Sequence, residues 1–258
     1  MTGVRFGYLL PTQQATGDNG TRLARLLGRL RAGLGLGFGS PESRLQFAAA
    51  GVEFSTRVPR VEETIALMRA MWSAPGEPVS QRGAHVQVRD VALSPAPSRP
   101  GGPPVWLAGA GKRAEERVGR LADGWLPYLP SAASYREGWG RVQDAAAVAN
   151  RDQPPIAGLY LTVAIDSSAQ TARRRLRATV EQWYGRPFEM VASLQAMYAG
   201  TPEGLGSHLA PYIEAGASHV VLRVADEPQR GLEVAAQAIH GLGVQLGSAG
   251  AGALECTS

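Results

Sequence analysis

Short apolar runs alternate with amphipathic stretches almost from one end of the chain to the other. Residues 4–10 (VRFGYLL), 32–38 (AGLGLGF), 105–108, 125–129, 156–165 (IAGLYLTVAI) and 219–224 (HVVLRV) read as strands. Between them, 21–30, 61–72, 112–122, 134–150, 169–184, 202–215 and 228–242 read as helices. The clearest is 61–72, where Val61, Ile65, Met68 and Trp72 fall at the helical repeat. Thr201-Pro202-Glu203 is a helix start, with a capping hydroxyl, a first-turn proline and an acid near the positive end of the dipole. Two stretches break the rhythm. Residues 79–93 alternate weakly, as a hairpin does, and 94–104 hold five prolines and two glycines, as an extended connector does. Strand–helix alternation of this kind builds a parallel sheet or barrel, because each helix carries the chain back to begin the next parallel strand.

The 258 residues fit one barrel-sized domain or two small ones; a single domain is expected over 1–242, with a Gly/Ala/Ser-rich tail over 243–258. The net charge of +4 does not point to nucleic acid. Arginines stand beside acids, as in Arg60-Glu62-Glu63 and Arg113-Glu115-Glu116-Arg117, and no basic run carries interleaved aromatics. The single cysteine, Cys256, excludes an internal disulfide, and the four histidines have no ligand spacing, so no metal is expected. No apolar run reaches the length of a membrane span or a signal core, and the cytoplasm is the expected compartment. Arginine used nearly to the exclusion of lysine, with abundant alanine and glycine, suggests a GC-rich bacterial genome.

Chemistry is most legible in 103–128, PPVWLAGAGKRAEERVGRLADGWLPY. Here a strand passes through a glycine loop into an amphipathic helix. The turn Gly109-Ala110-Gly111-Lys112-Arg113 places free backbone N–H groups and small residues at a helix start, which is an anion site. Lys112, the only lysine, and Arg113 oppose the helix dipole there unless an anion stands nearby. The plain alternative is two solvated cations on a surface helix.

Five stretches in order carry a resemblance: VRFGYLLPTQ, RLRAGLGLGFGSPE, RVEETIALMRAMWS, PPVWLAGAGKRAEERVGRLADGWLP and GTPEGLGSHLAPYIEAGASHVVLR. The chain resembles the bacterial luciferase-like superfamily of flavin- and deazaflavin-dependent oxidoreductases. The resemblance implies a TIM-barrel fold and redox chemistry on a small organic molecule, by hydride transfer or monooxygenation. It implies FMN or the deazaflavin coenzyme F-420, with the phosphate on Gly109, Ala110, Gly111, Lys112 and Arg113. It places Gln13, Phe38 and Ser40 at the mouth, where a ring or substrate would meet them. Trp125 is a candidate for ring stacking, with a core role as its alternative. Arg223, inside an apolar strand, is a candidate for holding substrate or cofactor, with a structural salt bridge as its alternative.

One departure is large. Members of this superfamily place two further β/α units after the first strand, and 12–20 is too short for even one. The expected fold is therefore an incomplete (β/α) barrel with about six strands. Either the barrel is smaller or gapped, or a partner chain covers the open edge; a homo-oligomer is expected, and its second copy is a candidate for that cover. Two further readings stay open: a member that has lost redox function and binds a ligand or performs cofactor-free chemistry on a natural-product-like substrate, or a subunit completed by a partner.

Overall fold

The computed structural model describes residues 5–8, 34–36, 43–226, 233–234 and 236. In chain order the elements begin with β1 (Arg5–Tyr8), β2 (Leu34–Leu36), α1 (Arg44–Ala49), a 3-10 turn (Phe54–Thr56) and α2 (Arg57–Ser73). Then come β3 (Val79–Arg82), β4 (Gln87–Val91), β5 (Val105–Leu107), α3 (Lys112–Leu121), β6 (Gly124–Trp125) and α4 (Ala132–Val148). The last group is β7 (Ile156–Ile165), α5 (Ala169–Tyr184), α6 (Phe188–Ala192), β8 (Met197–Gly200), α7 (Pro202–Glu214) and β9 (His219–Val224).

The main sheet is parallel throughout and runs in the order β1-β9-β7-β6-β5-β2, with β8 paired to β7 off this path. The six expected strands are the six on the path. A closed barrel gives every strand two neighbours, whereas here β1 and β2 each have one among the described residues. The sheet is thus a curled half-barrel, and its path ends at β1 and β2 among the described residues. β3 and β4 form the expected antiparallel hairpin. Glu63 of α2 fastens it by accepting the N–H groups of Ala84, His85 and Val86.

β7 is the axis of the sheet, with nine of its ten residues buried. Alternate residues point to opposite faces. Leu159, Leu161, Val163 and Ile165 join Val118 of α3, Val142 of α4 and Leu205 and Leu209 of α7 in the main core. Ala164 faces the other way and packs with Ala172, Leu176 and Val180 of α5. Helices α3, α4 and α7 therefore clothe the outer face, and α5 lies over the inner one. Burying each of these branched side chains contributes about 1.5–3 kcal/mol.

Three expectations change. β6 ends at Trp125 rather than 129, because Pro127 has no N–H for the ladder. β8 was not foreseen; its four residues are too few to show a period. The period of 169–184 sets Leu176, Val180, Trp183 and Tyr184 inward, yet Trp183 and Tyr184 are 36% and 38% exposed at the end of α5. The expected helices 21–30 and 228–242 and the tail 243–258 fall largely or wholly outside the described residues.

Candidate functional site

β5 brings the chain to the C-terminal edge of the sheet, where Ala108 N–H donates to the Leu36 carbonyl of β2 at 3.2 Å. The loop then turns through Gly109 at φ 125° and Gly111 at φ 87°. A side chain strains both conformations. Two buried groups hold the loop from below. The Trp125 indole N–H donates to the Gly109 carbonyl at 2.9 Å. Glu115, 1% exposed, accepts the Gly111 N–H at 3.0 Å and pairs with Arg141 Nε at 2.5 Å. Gly138 of α4 makes the room: a Cβ there would stand 2.8 Å from Glu115 Oε1 and 2.7 Å from Trp125 Cη2.

Glu115 thus takes one loop donor and leaves others. The N–H groups of Lys112 and Arg113 open α3 and have no partner within it. Both side chains are exposed. Among the described residues, the neighbouring acids Glu62 and Glu115 pair with Arg117, Arg120 and Arg141 rather than with these two cations. Two amides and two cations at the positive end of a helix dipole suit a phosphate.

A second group of polar side chains lies on the inner face. Register pairs Tyr160 with Val221 and Thr162 with Arg223, so these four share one face. Tyr128, just beyond β6, sets its ring edge-on to Tyr160 at 4.7 Å. Arg223 Nη1 donates to the Tyr184 hydroxyl at 2.9 Å, and its guanidinium lies 3.8 Å from the Trp183 ring centroid. Burial pushes the Tyr160 and Tyr128 phenols up, so both remain protonated donors near neutral pH. The end of α5 is fixed here by Tyr184 and Trp183. Near its start, Arg175 bridges Asp166 after β7 (2.6 Å) and Asp226 after β9 (2.9 Å).

Among the expected site residues, Gly109, Ala110, Gly111, Lys112 and Arg113 form one loop, with Trp125 directly beneath it. Trp125 has no exposed surface; it packs against Tyr135 and Trp139 and has no free face for a flavin ring. The salt-bridge alternative for Arg223 finds no acid among the described residues; its partners are aromatic. Arg223 lies three strand positions from the loop, roughly 14 Å at about 4.8 Å per strand. Gln13, Phe38 and Ser40 lie outside the described residues. Sequence reading missed Glu115, Arg141 and Tyr160. Glu115 had a signal, an acid one turn into a helix after a glycine cap.

The profile of the luciferase-like monooxygenase family matches residues 26–221, and the chain belongs to that family. A phthiodiolone/phenolphthiodiolone dimycocerosates ketoreductase of Mycobacterium kansasii is 36% identical over 129 residues, covering 50% of this chain and 34% of the relative. The chain thus spans about a third of the length of that curated relative. An F420-dependent glucose-6-phosphate dehydrogenase of Rhodococcus erythropolis is 27% identical over 224 residues, covering 79% of this chain and 65% of the relative. In fold, the chain is similar to an F420-dependent secondary alcohol dehydrogenase solved with an F420-acetone adduct. That likeness has a TM-score of 0.66 at 15% identity, over 81% of this chain and 69% of the other. A monooxygenase from Streptomyces bottropensis matches with a TM-score of 0.66 at 15% identity, over 93% and 76%. An F420-dependent dehydrogenase and a monooxygenase are thus similar to this chain in fold. Among the described residues no helix is long and apolar enough to cross a membrane, and no cluster suits a metal ion.

Proposed function

We propose that the chain is an oxidoreductase that uses FMN or F420 on a small organic molecule in the cytoplasm. The cofactor's phosphate would rest on Gly109, Ala110, Gly111, Lys112 and Arg113. When bound, such a cofactor supplies hydride transfer or, as reduced flavin with oxygen, monooxygenation. The chain's own residues bind and orient it. The Lys112 and Arg113 amides and side chains take the phosphate, while Trp125 and Glu115 keep the loop in shape. The observation that carries this reading is the pair of cations without described acid partners beside open helix-start amides.

Titration of the purified protein with FMN, F420 and riboflavin tests it. FMN or F420 is expected to bind in the micromolar range with a shift of its visible absorbance. Replacing Lys112 and Arg113 together by alanine removes charge-assisted contacts worth about 1.5–3 kcal/mol. FMN affinity should then fall roughly 10- to 100-fold while riboflavin affinity stays constant. Equal loss for both ligands would remove the loop's role, and no binding of FMN or F420 would remove the cofactor reading.

A second reading rests on the two ends of the strand path. A second copy covering β1 or β2 would complete the wall that the path leaves open. Light scattering across a concentration series tests this, with a dimer expected.

A further inference from the structure

The geometry points to a subsite for an organic anion, a carboxylate on an apolar body, held by Arg223, Tyr160 and Thr162 on the inner face of the sheet. It rests on the oxidoreductase reading and names the class of substrate that this reading leaves open.

Three observations carry it. Arg223 stands inside a strand yet has no carboxylate partner among the described residues. One nitrogen serves the Tyr184 hydroxyl, and Nε and Nη2 have no described acceptor. Stacking on Trp183 fixes the plane of the guanidinium but does not neutralise its charge. Next to it are two buried hydroxyls without hydrogen-bond partners: Tyr160, 4% exposed, and Thr162, 0% exposed. Tyr128 and Tyr184 act electrostatically on Tyr160, and Arg223 stands close enough to its Oη to favour the phenolate, but without the geometry of a completed hydrogen bond. A buried hydroxyl without a partner costs free energy that an acceptor recovers. A neutral carbonyl would satisfy the hydroxyls but leave the guanidinium uncompensated. A carboxylate satisfies both and pairs with the fork of a guanidinium.

The surroundings argue for an apolar body on that anion. Tyr128, Trp183 and Tyr184 rim the group and are 46%, 36% and 38% exposed. Exposed rings beside a cation suit a planar, apolar acid better than an inorganic ion. Burial also keeps the Tyr160 phenol protonated, so it donates to the anion across the neutral range.

Calorimetric titration of the protein without added cofactor, using sodium benzoate and benzyl alcohol, tests the subsite. Benzoate should bind at least tenfold more tightly than the alcohol. Arg223→Gln should weaken benzoate at least tenfold, Tyr160→Phe about fivefold, and Arg223→Lys less than Arg223→Gln. Equal affinity for acid and alcohol, or benzoate affinity indifferent to Arg223→Gln, overturns the proposal. If circular dichroism shows Arg223→Gln unfolded, Tyr160→Phe and Arg223→Lys carry the same comparison. FMN titration separates this outcome from failure of the cofactor reading. Lost FMN and F420 binding with retained, Arg223-dependent benzoate binding removes the latter alone, and the reverse removes the subsite alone.

Discussion

At the scale of single residues, the phosphate loop depends on groups that never touch its ligand. Trp125 contributes one indole N–H to a glycine carbonyl from a position with no exposed surface. Trp125→Phe keeps most of the packing and removes that bond. It should lower stability by about 1 kcal/mol, read as a lower urea midpoint, and weaken FMN more than riboflavin. Glu115→Gln keeps an acceptor for Gly111 but loses the charge paired with Arg141. A cost of about 1–2 kcal/mol is expected, the lower end reflecting an arginine that is 41% exposed. Lys112 and Arg113 were legible in the sequence because the motif is contiguous: strand, glycines, cations, helix. Arg141 was not, since it reaches Glu115 from 26 residues away. Tyr160 was hidden for another reason. In a fully buried strand, polar and apolar positions do not alternate, so nothing marked its hydroxyl as unpartnered.

Among the elements, β7 and α5 set the stability of the inner face. Leu161 is fully buried in the middle of β7, and Leu161→Ala should cost about 2–5 kcal/mol, measured by chemical denaturation. α5 is tied to two strand ends by Arg175, and here pH matters. The Ser168 N–H and then the Arg175 guanidinium hold the Asp166 carboxyl below its ordinary value. A carboxyl depressed in the folded state stabilises fully above its unfolded value, about pH 4. That contribution is lost as pH falls through the folded value. The melting temperature should therefore hold steady above about pH 5 and drop below about pH 4. Arg175→Ala should lower the plateau and shrink the acid-side drop, which a melting series from pH 2 to pH 7 would show. The sequence announced α5 by its period and β7 by its apolar run. It did not announce β8, whose pairing to the far end of β7 depends on where α5 and α6 leave the chain.

For the whole molecule, six strands in an unbroken parallel arc were legible because each is a short apolar run with a helix behind it. That the arc stays open among the described residues was also legible, from the length of 12–20. The curvature that brings distant strands into one surface was not, and Trp106 shows what that curvature requires. Its indole lies over Gly124 of β6 and Gly158 of β7, where added Cβ atoms would stand 2.4 and 2.6 Å from it, and its ring meets His219 of β9 at 5.6 Å. Gly124→Ala alone should destabilise the protein, because a Cβ there meets the Trp106 indole, and so should Trp106→Leu. Combined, they should cost less than the sum of their separate effects, a coupling that a double-mutant cycle in urea would measure. Four strands thus share one side chain as a common spacer. In evolutionary terms positions 106 and 124 form a single heritable unit: descendants that trade the indole for a smaller residue gain freedom at 124, while the Trp125 carbonyl, 2.5 Å from a Cβ at 158, keeps a glycine there either way.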